Sequence, residues 1–150
     1  MKRRAWMKVV AAAAAGTVLP SIAAGADVMQ VYKSPTCGCC GDWVKHVEAN
    51  GFRVVVHDVG NNAARARMGI PLALGGCHTG EIAGYAIEGH VPAADVRRLL
   101  AAKPRARGLA VPGMPIGSPG MEQGGRREAY DVLLVRDDGS TSVFASYRAS

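Results

Sequence analysis

Val28-Met29-Gln30-Val31-Tyr32-Lys33-Ser34-Pro35-Thr36-Cys37-Gly38-Cys39-Cys40-Gly41-Asp42-Trp43-Val44-Lys45-His46-Val47 is the stretch on which the fold turns. Residues 28–33 read as a strand. Ser34-Pro35-Thr36 reads as a turn. From about Cys39 or Cys40 to Ala49, the placement of Trp43, Val44 and Val47 predicts a helix with one buried side. Asn50-Gly51 is a helix stop, since glycine accepts the left-handed conformation that ends a helix. Phe52 to Val56 is a continuous apolar, β-branched run and reads as a buried strand. Strand, cysteine turn, helix and strand together make a βαβ unit, so the chain is of the α/β class.

Outward from that unit, Asn61 to Met68 suits a short helix ended by Gly69-Ile70-Pro71, with Met68 in the core. Residues 72–91 are rich in glycine and carry Cys77, His78 and His90. Pro92 to Ala102 reads as a helix with Val96, Leu99 and Leu100 on one face, closed by Lys103-Pro104. Residues 104–129 read as a long loop, of a length that in a compact domain points to function or disorder. Within it Pro112-Gly113-Met114 recurs as Pro119-Gly120-Met121, which predicts two like turns presenting two methionines. Tyr130–Val135 and Thr141–Tyr147 flank Asp137-Asp138-Gly139-Ser140 and predict a C-terminal β-hairpin.

The first 26 residues are read separately. Lys2, Arg3, Arg4 and Lys8 precede an apolar stretch, Val9 to Leu19, that is short for a membrane span. Ala24-Gly25-Ala26 follows as a cleavage site, so residues 1–26 read as a secretory signal peptide. Arg3-Arg4 also fits a twin-arginine signal. The domain is then 27–150, exported to the periplasm in a two-membrane cell, with no membrane attachment after cleavage. Four of the 18 basic residues and none of the 12 acidic ones lie in 1–26, leaving a formal +2 on the remainder. The sequence pI of about 9.5 therefore owes much to the leader and gives no ground for a nucleic-acid partner.

Cys37-Gly38-Cys39-Cys40 holds a C-x-x-C pair with a third cysteine inside it, at the predicted start of a helix. The partial positive charge there lowers thiol pKa values, and thiolates are both the metal ligands and the redox-active species. Three readings compete. Structural disulfides suit an exported chain with an even cysteine count, but three cysteines in four positions close only very short loops. A thioredoxin-type thiol–disulfide oxidoreductase needs Cys37 and Cys40 alone, and the third cysteine would interfere with each exchange. Soft-metal binding explains the crowding, because cations neutralise packed thiolates. Copper(I) accepts sulfur ligands, low coordination numbers and sulfur bridges, whereas zinc prefers four separated ligands. The metal reading takes Cys37, Cys39, Cys40 and Cys77 as ligands. His78, His46 and His90 are further candidates: His78 as a ligand or as a hydrogen-bond partner of one, His46 facing the cysteines or simply water, and His90 as a ligand or as a residue that caps or fills a turn. Met114 and Met121 are candidate thioethers, and His57 is read as structural.

Cys37-x-Cys39-Cys40-x-x-Trp43-x-x-His46, Gly51-Phe52, Cys77-His78-Thr79, Gly84-Tyr85, Glu88-Gly89-His90-Val91-Pro92 and the two Pro-Gly-Met turns resemble the CopG copper-resistance family across nearly the whole chain after residue 26. The resemblance implies a thioredoxin-like mixed sheet with flanking helices. It also implies a multi-copper site bridged by the sulfurs of Cys37, Cys39, Cys40 and Cys77, and a role in interconverting copper(I) and copper(II); copper ions are the expected partner, with other periplasmic copper-handling proteins as candidates. The family pattern leads one to expect serine at Gly76 and alanine at Gly80, departures that would loosen the loop bearing Cys77.

Overall fold

The computed structural model describes residues 28–150, so the signal-peptide reading of residues 1–26 lies outside the described residues. In chain order the elements are β1 (Met29–Lys33), α1 (Gly38–Ala49), β2 (Val54–His57), α2 (Asn62–Arg67), a 3-10 turn (Leu72–Leu74), β3 (His78–Ile82), β4 (Tyr85–Glu88), α3 (Ala93–Ala102), β5 (Gly108–Ala110), β6 (Tyr130–Val135) and β7 (Thr141–Tyr147). Seven strands form one mixed sheet in the order β2-β1-β3-β4-β5-β6-β7. β2 lies parallel to β1 and β5 parallel to β4, while the remaining neighbours are antiparallel. Among the described residues no helix is long and apolar enough to cross a membrane.

Side-chain alternation assigns the layers. Met29, Val31, Ile82 and Ile87 point to one face and pack with Trp43 and Val47 of α1 and Val96 and Leu99 of α3. Ala86, Ala110 and Val135 point to the other face and pack with Ile70. Glu88 follows Ile87 and shares the Ala86 face, where it meets Arg65 of α2. Helices α1 and α3 therefore cover one side of the sheet and α2 the other.

The βαβ unit, the short helix, the α3 helix and the C-terminal hairpin stand where the sequence puts them. Three features differ. β2 is an edge strand and not a buried one; Val55 and Val56 are exposed. Its β-branched run reflects strand preference, and only part of it finds a core to pack against. Residues 78–88 form the β3–β4 hairpin, hidden from the sequence reading because its two-residue turn is Ala83-Gly84. Both residues have positive φ (50° and 82°), the primed-turn geometry usually signalled by Asn-Gly. The long loop also contributes β5, three residues that bridge β4 and β6.

On the α2 side a buried polar network fixes the entry to β3. Arg65 Nε donates to Glu88 Oε1 at 2.8 Å, and an Arg65 terminal nitrogen donates to the Gly76 carbonyl at 2.6 Å. The Gly76 N–H donates to the same Glu88 oxygen at 2.8 Å, and Thr79 Oγ1 donates to Glu88 Oε2 at 2.6 Å. Asn61 Nδ2 completes the set with Thr79 Oγ1 at 3.2 Å. Glu88 has no exposed surface, so its charge is matched entirely by these partners.

Removing one member of a buried ion pair strands the other, at a cost of about 3–5 kcal/mol. Glu88→Gln should therefore lower the unfolding free energy in urea by roughly that amount. The double variant Arg65→Met, Glu88→Gln should recover part of the loss, because no charge is left buried alone. A loss below about 1 kcal/mol in the single variant would place the pair among ordinary surface contacts.

Candidate metal centre

Ser34-Pro35-Thr36-Cys37 turns the chain from β1 into α1, with the Cys37 N–H donating to the Ser34 carbonyl at 3.1 Å. Cys37 is the residue before α1, Cys39 and Cys40 fall in its first turn, and no acidic side chain occupies that turn. The sulfurs thus sit where the helix favours negative charge. Cys77 arrives from across the sheet on the loop pinned by Glu88. The four Sγ atoms all lie within 4.8 Å of one another.

Two of the four expected thiolates are joined to each other. Cys37 and Cys40 form a disulfide, while Cys39 and Cys77 are free. Spacing i, i+3 at a helix start gives a Cα separation of 5.4 Å, inside the range a disulfide spans. Cys39 Sγ lies 3.6 Å from Cys37 Sγ and 3.8 Å from Cys77 Sγ.

The histidines divide. His90 Nδ1 lies 2.8 Å from the Pro119 carbonyl and donates to it, which leaves the Nε2 lone pair facing Cys77 Sγ at 3.1 Å. His78, the first residue of β3, is fully buried against Trp43, with ring centroids 4.3 Å apart. Its Nδ1 is 3.4 Å from Cys77 Sγ, and its Nε2 is the one buried side-chain polar atom without a hydrogen-bond partner among the described residues. Cys77, His78 and His90 form a second cluster of donor atoms within 4.8 Å. His46 is not in either cluster. Its Nε2 accepts the Ala93 N–H at 3.1 Å and so caps α3, which leaves its Nδ1 carrying the proton and no lone pair for a metal in this structure. His57, as expected, is structural: it bonds Gln30 at 2.8 Å and stacks on Tyr32.

The two Pro-Gly-Met stretches are not alike. Ser118-Pro119-Gly120-Met121 closes a turn through the Met121 N–H and the Ser118 carbonyl at 2.8 Å, with Gly120 at φ 84°. A Cβ on Gly120 would come within 2.7 Å of the Trp43 nitrogen and 2.9 Å of the Cys39 carbonyl, so this turn lies directly on the first turn of α1. Met121 is half-buried there, whereas Met114 is exposed. Gly76 also departs from expectation. A Cβ on it would stand 2.5 Å from the Gly89 Cα, so glycine at this position tightens the Cys77 loop and does not loosen it.

Arg65, Glu88 and the Pro119 carbonyl are the positioning groups that the sequence reading missed. Arg65 lay in a short polar helix with no sign of burial. Glu88 stood next to the Gly89-His90 motif, and its own role was not legible.

Burial, then Cys39, pushes the Cys77 thiol up to about 12, so the metal-free chain holds it protonated and donating to His90 Nε2. Burial lowers His46 and His90, and burial followed by the neighbouring His90 lowers His78 to about 3. Soft sulfurs, one imidazole with its tautomer set by a carbonyl and a second with an unpartnered nitrogen suit a soft metal ion better than a hard cation.

A histidine whose pKa falls on folding keeps its full stabilising share above about pH 6.5 and loses it as the pH drops toward 3. For His78 the loss between pH 7.5 and pH 5 amounts to about 2 kcal/mol in the metal-free protein. Urea unfolding at the two pH values measures it, and His78→Gln should flatten the dependence. Equal slopes in both proteins would assign the pH dependence to other groups.

A family described as "Protein of unknown function, DUF411" matches residues 74–121, from the Cys77 loop to the second methionine turn. No curated protein matches the chain. Two solved structures, "Copper resistance protein copG" in Form 1 and in Form 2, share 47% and 48% identity with it, at TM-scores of 0.78 and 0.77. They cover 83% and 82% of this chain and 99% of their own. At that identity over almost the full length of its relatives, the chain belongs to the CopG copper-resistance protein family.

Proposed function

We propose that this protein is an exported copper-handling protein that holds several copper(I) ions through Cys37, Cys39, Cys40 and Cys77 once the Cys37–Cys40 disulfide is reduced. The observation that carries the reading is the convergence of four sulfurs within 4.8 Å from two distant parts of the chain. At that separation full thiolate charge on every sulfur is strongly unfavourable unless cations lie between them. Sulfur-bridged copper(I) meets that demand with low coordination numbers. His90 and His78 supply the nitrogen donors beside Cys77. Met121, on the turn against α1, is the better placed of the two thioethers to pass copper inward, with Met114 exposed further out on the same loop.

In this reading β1–α1–β2–α2–β3–β4–α3 is a thioredoxin-like core whose redox turn has become a copper site, extended by the loop and hairpin that follow α3. The protein works in the periplasm, lowers free copper there and exchanges it with other copper-handling proteins.

The second reading is a thiol–disulfide oxidoreductase using Cys37 and Cys40, and the disulfide between those two residues favours it. Insulin reduction by copper-free protein that survives both Cys39→Ser and Cys77→Ser would support that reading over copper holding.

Copper content and thiol count on anaerobically reduced protein loaded with copper(I) test the proposal. Several coppers per chain, with all four thiols shielded from alkylation, are expected. Cys77→Ser should lower the copper number by more than one ion, because a bridging sulfur serves more than one. Unchanged loading in that variant would remove Cys77 from the site.

A further inference from the structure

The four cysteines are not equivalent. One pair, Cys37 and Cys40, is joined, and the other, Cys39 and Cys77, remains as free thiols 3.8 Å apart. The second pair has nitrogen donors beside it, His90 Nε2 at 3.1 Å and His78 Nδ1 at 3.4 Å from Cys77 Sγ. Cys39 Sγ touches both pairs, at 3.6 Å from Cys37 Sγ on one side and 3.8 Å from Cys77 Sγ on the other. Exposure divides the joined pair as well: Cys37 is half-exposed and Cys40 has no accessible surface.

We propose a division of labour in which the Cys37/Cys40 dithiol reduces copper(II) and Cys39, Cys77 and His90 retain the copper(I) produced. This rests on the copper-holding reading and supplies the electron source that it lacks. The step balances as two thiols and two copper(II) ions giving one Cys37–Cys40 disulfide, two copper(I) ions and two protons. The S–S bond forms as two S–H bonds break, each copper gains one electron, and both protons leave to solvent. Copper held at Cys39 lies beside the dithiol it draws electrons from, so no long electron path is needed. Regeneration needs two electrons from an external dithiol. Its thiolate reaches the half-exposed Cys37 sulfur, releases Cys40 as the leaving thiolate, and a second thiol resolves the mixed disulfide. The same turn that would serve a protein oxidoreductase thereby serves a metal-ion substrate.

The test uses the reduced chain, titrated anaerobically with copper(II) sulfate and quenched by alkylation. Copper(I) formed is read with a chromogenic chelator after denaturation, thiols by mass, and the disulfide by peptide mapping. The expected result is two copper(I) per chain, two thiols lost, a Cys37–Cys40 disulfide as the dominant product and copper(I) co-eluting with the protein. Cys40→Ser and Cys37→Ser should each cut the initial yield of copper(I) at least tenfold; the second removes a half-exposed sulfur and guards against a packing defect in the first. Cys39→Ser should lower the copper(I) that co-elutes with the protein, while any disulfide formed still maps to Cys37 and Cys40. A Cys39–Cys77 disulfide as the main product, or undiminished yield in both Cys37→Ser and Cys40→Ser, overturns the proposal. Binding of supplied copper(I) by all four thiols with no reduction of copper(II) overturns it too and leaves the copper-holding reading intact. Reduction through Cys37 and Cys40 with no copper retained breaks the division of labour and the copper-holding reading with it.

Discussion

The position of Cys77 depends on a carboxylate that never touches it. Glu88 is buried on the α2 side of the sheet and accepts from Arg65, Thr79 and the Gly76 N–H. Arg65 grips the same Gly76 from the other side through its carbonyl. The backbone immediately before Cys77 is therefore held at both of its polar groups. Gly76 then lies so close to Gly89 that no side chain fits between them. A buried ion pair is a poor source of net stability, since desolvation offsets most of the attraction. Its use here is positional. A sulfur that must bond partners on another element tolerates little displacement, and a glycine-rich loop would not hold it alone.

The same sheet transmits this restraint to the site's opposite wall. β4 delivers Glu88 to one face and leads into Gly89 and His90, whose imidazole reaches Cys77 from the other side. The Pro119 carbonyl sets the His90 tautomer, and the turn that contains Pro119 lies on α1 at Cys39 and Trp43. Trp43 in turn donates its indole N–H to the Val91 carbonyl at 2.8 Å. Helix, hairpin and loop are thus tied in a ring around the sulfurs, by the His90–Cys77 side-chain contact and by side chains that meet the Pro119 and Val91 carbonyls.

Local patterns carried much of this in the sequence. The strand–turn–helix around Cys37 and the hairpin at Asp138-Gly139 were legible because periodicity and turn residues act over a few positions. The β3–β4 hairpin was not, because Ala83 occupies a left-handed position usually marked by Asn or Gly. The exposure of β2 was not, because an apolar run does not state whether it has a neighbour on both sides. His46 shows the limit most sharply. Its place on the first helix left it open between facing the cysteines and facing water, yet its Nε2 accepts the N–H of Ala93, 47 residues away in sequence. Arg65, Glu88 and Pro119 were invisible for the same reason: their partners come from other elements.

Sulfur crowding gives the site two ways of being stable. Four sulfurs within 4.8 Å cannot all carry charge without compensation, so each must keep its proton, bond another sulfur or bind a metal. The structure shows two of these solutions together. Cys37 and Cys40 bond each other, while Cys77 keeps its proton against His90. On the copper-holding reading proposed above, copper(I) would be the third, with its donor atoms already within 4.8 Å of one another. On that reading the disulfide and the metal compete for Cys37 and Cys40, while Cys39 and Cys77 stay open to the metal. A turn whose sulfurs can satisfy either bond couples the copper load to the thiol redox state, and neither is set independently of the other.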